Sequence, residues 1–185
     1  VAVGIVVAGG VLVACGGGNS GTGLEQPAAV SAAQFTDANG VVQPALGSRS
    51  KPVLRHGQFT YRDLNNNGKV DQYENWRLPV DVRVADLVKQ MTLEEKAGLM
   101  LIDTLNGGCG GTAQATAFDY VNTQKMHRFI FRNVVNAVGT CAPDAGIRAG
   151  SQLTPQQAAQ YMNTIQAMTE ATRLGIPALF KSNAR

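Results

Sequence analysis

The run Asp63-Leu-Asn-Asn-Asn-Gly-Lys-Val-Asp-Gln-Tyr-Glu74 leaves a folding chain the least freedom. Side-chain oxygens stand at the first, third, fifth, ninth and twelfth places of this stretch, which are Asp63, Asn65, Asn67, Asp71 and Glu74. Lys69, at the seventh place, offers its backbone carbonyl, and Gly68 just before it permits the sharp turn such a loop needs. Val70 supplies an apolar anchor. Calcium is a hard cation that takes about six to eight oxygens, and short oxygen side chains alternating on a tight turn place that many around one point. The pattern therefore predicts a Ca²⁺ loop of the EF-hand type, with Asp63, Asn65, Asn67, Lys69, Asp71 and Glu74 as ligands. The plainer reading of the same residues is an Asn-Gly turn between two strands. The flanks set this loop apart from a sensor. Phe59-Thr-Tyr-Arg62 alternates like a strand where a sensor has an incoming helix, Pro79 closes the stretch on the other side, and the sequence holds no second copy of the loop.

The chain of 185 residues is about the length of one domain, and its 44% hydrophobic content is enough for a core. Sixteen basic residues against thirteen acidic ones give a net charge of +3. That excess is small and scattered, so no nucleic-acid partner is expected.

Val1 to Ala14 is apolar and uncharged. It is shorter than the roughly 20 residues of a spanning helix and fits the apolar region of a signal peptide. With neither an initiator Met nor a basic segment before it, the chain is expected to be trimmed at its start. Leu12-Val-Ala-Cys15 resembles a bacterial lipobox, which predicts acylation of Cys15, a lipid anchor, and export; Gly16 after the cysteine resembles an outer-membrane address. Residues 1–15 are thus expected to be a lipoprotein signal segment. Residues 16–57, rich in Gly, Ser, Ala, Gln and Asn, read as a flexible tether, and 58–78 as the calcium-loop region.

Beyond the loop, Val80, Val84, Leu87, Val88 and Met91 recur at helical spacing, with Pro79 suited to the first turn. Thr92 to Glu95 is a capping box for a second helix. Gly98 is expected to interrupt that helix, and Leu99–Ile102 reads as a short buried strand or the helix's end, with length and the glycine favouring the strand. Phe118–Met126 reads as a helical turn or two, and Arg128–Val135 as the next strand. Thr154-Pro-Gln-Gln157 is a second capping box, opening a helix to about Leu174 with Ala158, Met162, Ile165, Met168 and Thr172 inside. Ile176–Phe180 is the last strand. Strands alternating with helices predict an α/β chain with a parallel sheet.

The sequence offers little obvious catalytic chemistry. His56 and His127 lack metal-ligand spacing and read as solvated or structural. Asp103 follows an apolar run directly, where parallel folds carry their sites, and is a candidate on that ground alone. Cys109 and Cys141, both in Gly-rich loops, are expected to bridge in the oxidising compartment an exported chain enters; two free thiols are the alternative.

Three stretches together resemble the N-terminal region of glycoside hydrolase family 3, the β-glucosidase and exo-glucanase type. They are Arg62 to Pro79 running into Val84-Ala-Asp-Leu-Val88, then Gln90-Met-Thr-Leu-Glu-Glu-Lys-Ala-Gly98, then Glu170-Ala-Thr-Arg-Leu-Gly-Ile-Pro-Ala-Leu-Phe180. The likeness covers about Phe59 to Arg185. It implies that residues 79–185 begin a (β/α)8 barrel of the TIM type, incomplete in this chain, in a retaining hydrolase of terminal β-glycosidic bonds with an oligo- or polysaccharide substrate. The family's Ser-Asp-Trp nucleophile motif is not in these residues, so the chain alone is expected to be inactive. The resemblance implies substrate-binding roles for Asn183, where family members commonly carry Asp, and for nearby Arg185. A different class fits the isolated loop: a calcium-dependent surface binding or anchoring module, like a dockerin adaptor.

Overall fold

The structure is a computed structural model that describes residues 36–37, 39–141 and 151–182. Two strands, β1 (Val53–His56) and β2 (Phe59–Arg62), form an antiparallel hairpin that turns at Gly57, φ +63°. The alternation of Phe59-Thr-Tyr-Arg62 is realised: Phe59 and Tyr61 are buried, and Thr60 and Arg62 are partly exposed. Both aromatics pack on Trp76, Tyr61 stacked at 5.9 Å and Phe59 edge-on at 5.4 Å.

Helix α1 (Val80–Gln90) follows the loop, and α2 (Leu93–Met100) starts at the Thr92–Glu95 capping box. The expected strand at Leu99–Ile102 is not formed. Helix α2 runs through Gly98 to Met100, and β3 is confined to Asp103–Thr104. Gly98 does not break the helix; it lets the helix approach the backbone carbonyls of Gln124 and Lys125, which a Cβ would strike. Helix α3 (Ala115–Phe118) passes into a π-helical turn, Asp119–Thr123, before β4 (Arg128–Phe131). Strand β4 stops short of Val135. The backbone N–H of Arg132 donates to Asn106 Oδ1 at 2.8 Å instead of to a neighbouring strand, and Val135 makes only an isolated bridge to Leu153.

Helix α4 (Pro155–Glu170) carries its own capping box, Thr154 with Gln157, and gives way to a turn before Gly175, φ +58°. Strand β5 (Leu179–Ser182) begins later than Ile176 because His127 and Gln166 take up the backbone before it. His127 Nδ1 lies 2.7 Å from the carbonyl of Ile176, and Gln166 brackets Ala178 through both its N–H and its C=O. Strands β3, β4 and β5 form one parallel sheet in that order.

The main core lies between this sheet and helices α3 and α4, around Leu105, Val121, Phe129, Leu153, Tyr161 and Ile165. A smaller one, Tyr73, Met91 and Leu174, joins the Asp63–Glu74 loop to the turn after α4. The segments around Glu95 and Arg173 meet beside it: the Arg173 guanidinium pairs with the Glu95 carboxylate at 2.5 Å and also donates to Gln90 O.

Residues 43–57, assigned to the tether on composition, are built into the body. Gln43 bonds both backbone groups of Thr60, and Ser48, Arg49 and Ser50 converge on Oε1 of Glu170. Polar composition conceals this, because the anchoring is by hydrogen bonds and not by apolar burial. Among the described residues no helix is long and apolar enough to cross a membrane.

Candidate functional site

Two places bear on function. The first is the Asp63–Glu74 loop, entered from strand β2 and left towards α1. Asn66 at φ 58° and Gly68 at φ 75° supply the left-handed turns that fold it on itself. Asp63, 2% exposed, accepts from the backbone N–H of Asn67 at 2.9 Å and of Gly68 at 2.8 Å. Glu74, 5% exposed, reaches back across the loop. Its Oε1 accepts from Leu64 N at 2.6 Å and its Oε2 from Asp71 N at 2.9 Å. The amides of Asn65 and Asn67 both donate to Asp71 Oδ2, at 2.6 and 2.7 Å. Lys69 is exposed, with its N–H on Asn67 Oδ1.

The loop thus carries three carboxylates and two amides on one tight turn, with both amides on Asp71. Among the described residues no three His, Cys, Asp or Glu side chains are gathered closely enough to hold a metal by themselves. The donor set here is mixed, with amide and carbonyl oxygens between the acids, which is the chemistry a hard cation takes. Burial pushes the Glu74 carboxyl above its ordinary range, against the pull of the three backbone N–H groups it accepts. Two buried carboxylates in one loop favour a partner of opposite charge. One built-in cation is Lys51, itself buried, whose ammonium donates to Thr172 O and is held below its usual range by desolvation, despite Asp63, Glu170 and Glu74 nearby.

Helix α1 fixes the loop from outside. Asp86 accepts from Tyr73 N at 3.0 Å, Gln90 accepts from the Asn65 amide at 3.2 Å, and Arg83 donates to Tyr73 O.

The second place is the parallel sheet and the edge where its strands end. Asp103 sits at the start of β3, its carboxylate accepting from Tyr120 Oη at 2.8 Å. It is tied into the α3 side of the sheet and does not stand alone in a cleft. Past the strand ends, Asn106 and Asn133 weld two loops. Asn133 accepts from Gly107 N at 2.8 Å and donates to Gly107 O and Ser151 O at 2.9 and 2.6 Å. Neither asparagine stands out in the sequence; the signal that finds them is their place two residues past the end of a strand.

Cys109, in a 3₁₀ turn (Cys109–Gly111), and Cys141 are bridged across the same two loops, with Cα atoms 4.6 Å apart. Asn183 and Arg185, expected at this edge, and Cys15 lie outside the described residues. At the opposite ends of the strands a cavity of about 220 Å³ is lined by Glu95, Lys125, His127 and Arg173, two of which are already paired with each other. His56 is exposed and His127 is buried.

No family model matches the chain. It is 34% identical over 150 residues to the "Periplasmic beta-glucosidase/beta-xylosidase" of Dickeya chrysanthemi, an alignment covering 80% of this chain and 21% of that protein. It is 27% identical over 143 residues to the "Probable beta-glucosidase C" of Aspergillus oryzae (strain ATCC 42149 / RIB 40), covering 74% of this chain and 19% of that protein. The chain therefore spans about a fifth of the length of the curated relatives it matches. Both relatives carry glycosidase names, and both alignments take in most of the chain.

Proposed function

We propose that this chain is the opening part of a glycoside hydrolase of family 3, hydrolysing terminal β-glycosidic bonds with retention of configuration. The observation that carries the reading is the 34% identity to a protein named beta-glucosidase/beta-xylosidase, extended over 80% of the chain. The parallel order β3-β4-β5, with a helical connection between successive strands, supports the first strands of a (β/α)8 barrel. In such a barrel the strand ends that Asn106 and Asn133 organise face the substrate, and the family resemblance would give Asn183 and Arg185 substrate-binding roles. A retaining mechanism needs two carboxyl groups about 5–5.5 Å apart. Among the described residues, Asn106 and Asn133 frame that edge by hydrogen bonds. The test is the intact protein on a panel of aryl β-glycosides, with the anomer first released followed by NMR. Absence of hydrolysis across β-glucosides and β-xylosides ends the proposal.

The loop is read as a structural Ca²⁺ site, with Asp63, Asn65, Asn67, Asp71 and Glu74 giving side-chain oxygens and Lys69 its carbonyl. A cation held there would supply positive charge that offsets the burial of the Glu74 carboxyl. Trp76 is the one tryptophan, two residues past Glu74, and reports the event. Its fluorescence is expected to shift with added Ca²⁺ at about 10⁻⁴–10⁻³ M, and Glu74→Ala to abolish the shift. A response identical in both proteins removes the site.

Export with a lipid on Cys15 completes the proposal. It is supported by the apolar segment before Cys15, by the Cys109–Cys141 bridge, and by the word periplasmic in the name of the Dickeya relative. Metabolic labelling with an alkynyl fatty acid tests it.

A further inference from the structure

Between helix α4 and strand β5 the chain turns through residues 172–176, and each residue of that turn is held from outside it. The Lys51 ammonium donates to Thr172 O at 2.8 Å. Arg173 donates to Glu95 at 3.0 Å and to Gln90 O at 2.8 Å. Leu174 is buried against Tyr73 and Met91, and Tyr73 Oη reaches its carbonyl at 3.5 Å. Gly175, at φ +58°, lies so close to Leu64 that a Cβ there would stand 3.1 Å from the leucine side chain. Ile176 O lies 2.7 Å from His127 Nδ1.

All but the last of these holds come from the 63–74 loop or from the segments that brace it. Leu64 directly follows Asp63 and Tyr73 directly precedes Glu74, the two most buried carboxylates of the loop. Glu74 Oε1 accepts from Leu64 N at 2.6 Å. Pro52 O, next to Lys51, accepts from Asp63 N at 2.9 Å, and Gln90 accepts from the Asn65 amide at 3.2 Å. A shift of either carboxylate therefore moves a side chain on which the turn rests. Close-packed neighbours transmit such a shift because they have no free space to absorb it. Beyond the turn, Leu179 N donates to His127 O at 2.7 Å, and β5 then pairs with β4.

We propose that the 63–74 loop and the 172–176 turn form one metal-dependent latch, in which Ca²⁺ bound by the loop locks the turn and the start of β5 in place. The proposal rests on the Ca²⁺ reading of the loop and goes beyond it: the site acts on a strand of the parallel sheet and not only on its own loop. Coupling of this kind is reciprocal. Whatever unseats the turn weakens Ca²⁺ binding, although no residue of the turn is among the ligands.

The experiment uses the intact protein, its Glu74→Ala variant, and Gly175→Ala, whose added methyl group meets Leu64 at a positive φ. Amide hydrogen exchange is followed in the loop, in residues 172–182, and in residues 155–166 of α4 as an internal reference. With saturating Ca²⁺, exchange in 172–182 is expected to slow at least about tenfold more than in the reference, in the wild type and not in Glu74→Ala. Calorimetric titration with Ca²⁺ is expected to show at least about fivefold weaker binding by Gly175→Ala. If Ca²⁺ binds and protects the loop while 172–182 exchanges as before, the latch falls and the Ca²⁺ site stands. Equal slowing of all three segments also overturns the latch, because it marks general stabilisation, and so does unchanged Ca²⁺ affinity in a folded Gly175→Ala protein. If the wild type gives no heat with Ca²⁺, the Ca²⁺ reading falls and the latch with it. Circular dichroism checks the fold of Gly175→Ala; if that variant unfolds, the wild-type exchange comparison decides by itself.

Discussion

Tyr161 is fully buried in α4, and its hydroxyl finds no hydrogen-bond partner among the described residues. Burial also pushes its ionisation far above the ordinary range. A desolvated, unpaired hydroxyl costs stability that a phenyl ring of the same shape does not. Tyr161→Phe is therefore expected to raise stability by about 1 kcal/mol, read as a higher urea midpoint with an unchanged slope. Gly98→Ala works the other way. Its new methyl group meets two backbone carbonyls that cannot swing aside, so a loss of about 1–3 kcal/mol is expected from the same measurement. His127 gives the pH dependence. It is buried, with Nδ1 donating to Ile176 O, and desolvation lowers its pKa from the ordinary 6.5. Between the folded value and 6.5 the unfolded chain binds more protons than the native one. The contribution of neutral His127 is thus complete above pH 6.5 and is lost as pH falls from there through the folded value. Melting curves between about pH 5 and 7.5 should slope downwards with acid in the wild type and less so in His127→Gln. An equal slope in both proteins places the acid sensitivity elsewhere. Of these residues His127 and Gly98 are visible in the sequence, the first as a histidine without metal-ligand spacing and the second misread as a helix breaker. Tyr161 escapes because aromatic and aliphatic residues compete for the same helical stripe, and Gly98 is misread because a glycine that breaks a helix and one that allows close packing are written with the same letter.

At the scale of elements, local chemistry was legible and extent was not. Both capping boxes, the hairpin strand Phe59–Arg62 and the parallel relation of the later strands follow from patterns of a few residues. Strand lengths fail to follow, because β3 and β4 end where side-chain amides replace ladder partners, and those amides sit far apart in sequence. Helix α1 shows a second limit. Its apolar positions are periodic, yet Val80, Val84 and Val88 are 67%, 49% and 43% exposed while Leu87 and Met91 pack inward. Periodicity shows which residues share a face, and not whether anything covers it. The loops after β3 and β4 make the clearest element-scale prediction. They are joined by the Cys109–Cys141 bridge, 32 residues apart in sequence, and by the bonds of Asn133. Removing the cross-link with paired Cys109→Ser and Cys141→Ser substitutions frees the unfolded chain, and a loss of about 2–4 kcal/mol is expected in equilibrium unfolding. Because Asn133 still holds Gly107 and Ser151, the far-ultraviolet spectrum should stay native. A collapsed spectrum instead shows that the bridge, and not the amide clamp, orders this edge.

At the scale of the whole molecule, apolar surface and sheet edges remain open together. The parallel sheet has three strands, so β3 and β5 each keep one edge without a partner strand among the described residues. Beside those edges Leu101, Ile102 and Leu179 are 49%, 42% and 62% exposed, and the valines of α1 add to them. Unpaired strand edges flanked by apolar side chains invite pairing with another chain. The curated relatives are about five times as long as the aligned region, which gives them ample chain to cover such a surface. Two results are expected when the 185 residues are purified alone. Light scattering should show association that grows with concentration, and paired Ile102→Lys and Leu179→Lys substitutions should suppress it, since charge on an edge is the usual guard against pairing. The same preparation should release no nitrophenol from aryl β-glucosides, because no two carboxyl groups at the strand ends among the described residues are placed for a retaining reaction. A monodisperse monomer at high concentration shows that the open edges are harmless in this chain. Turnover by the 185 residues alone, abolished when Asp103 is changed to Asn, places the chemistry within this chain and moves the proposed division of labour with it.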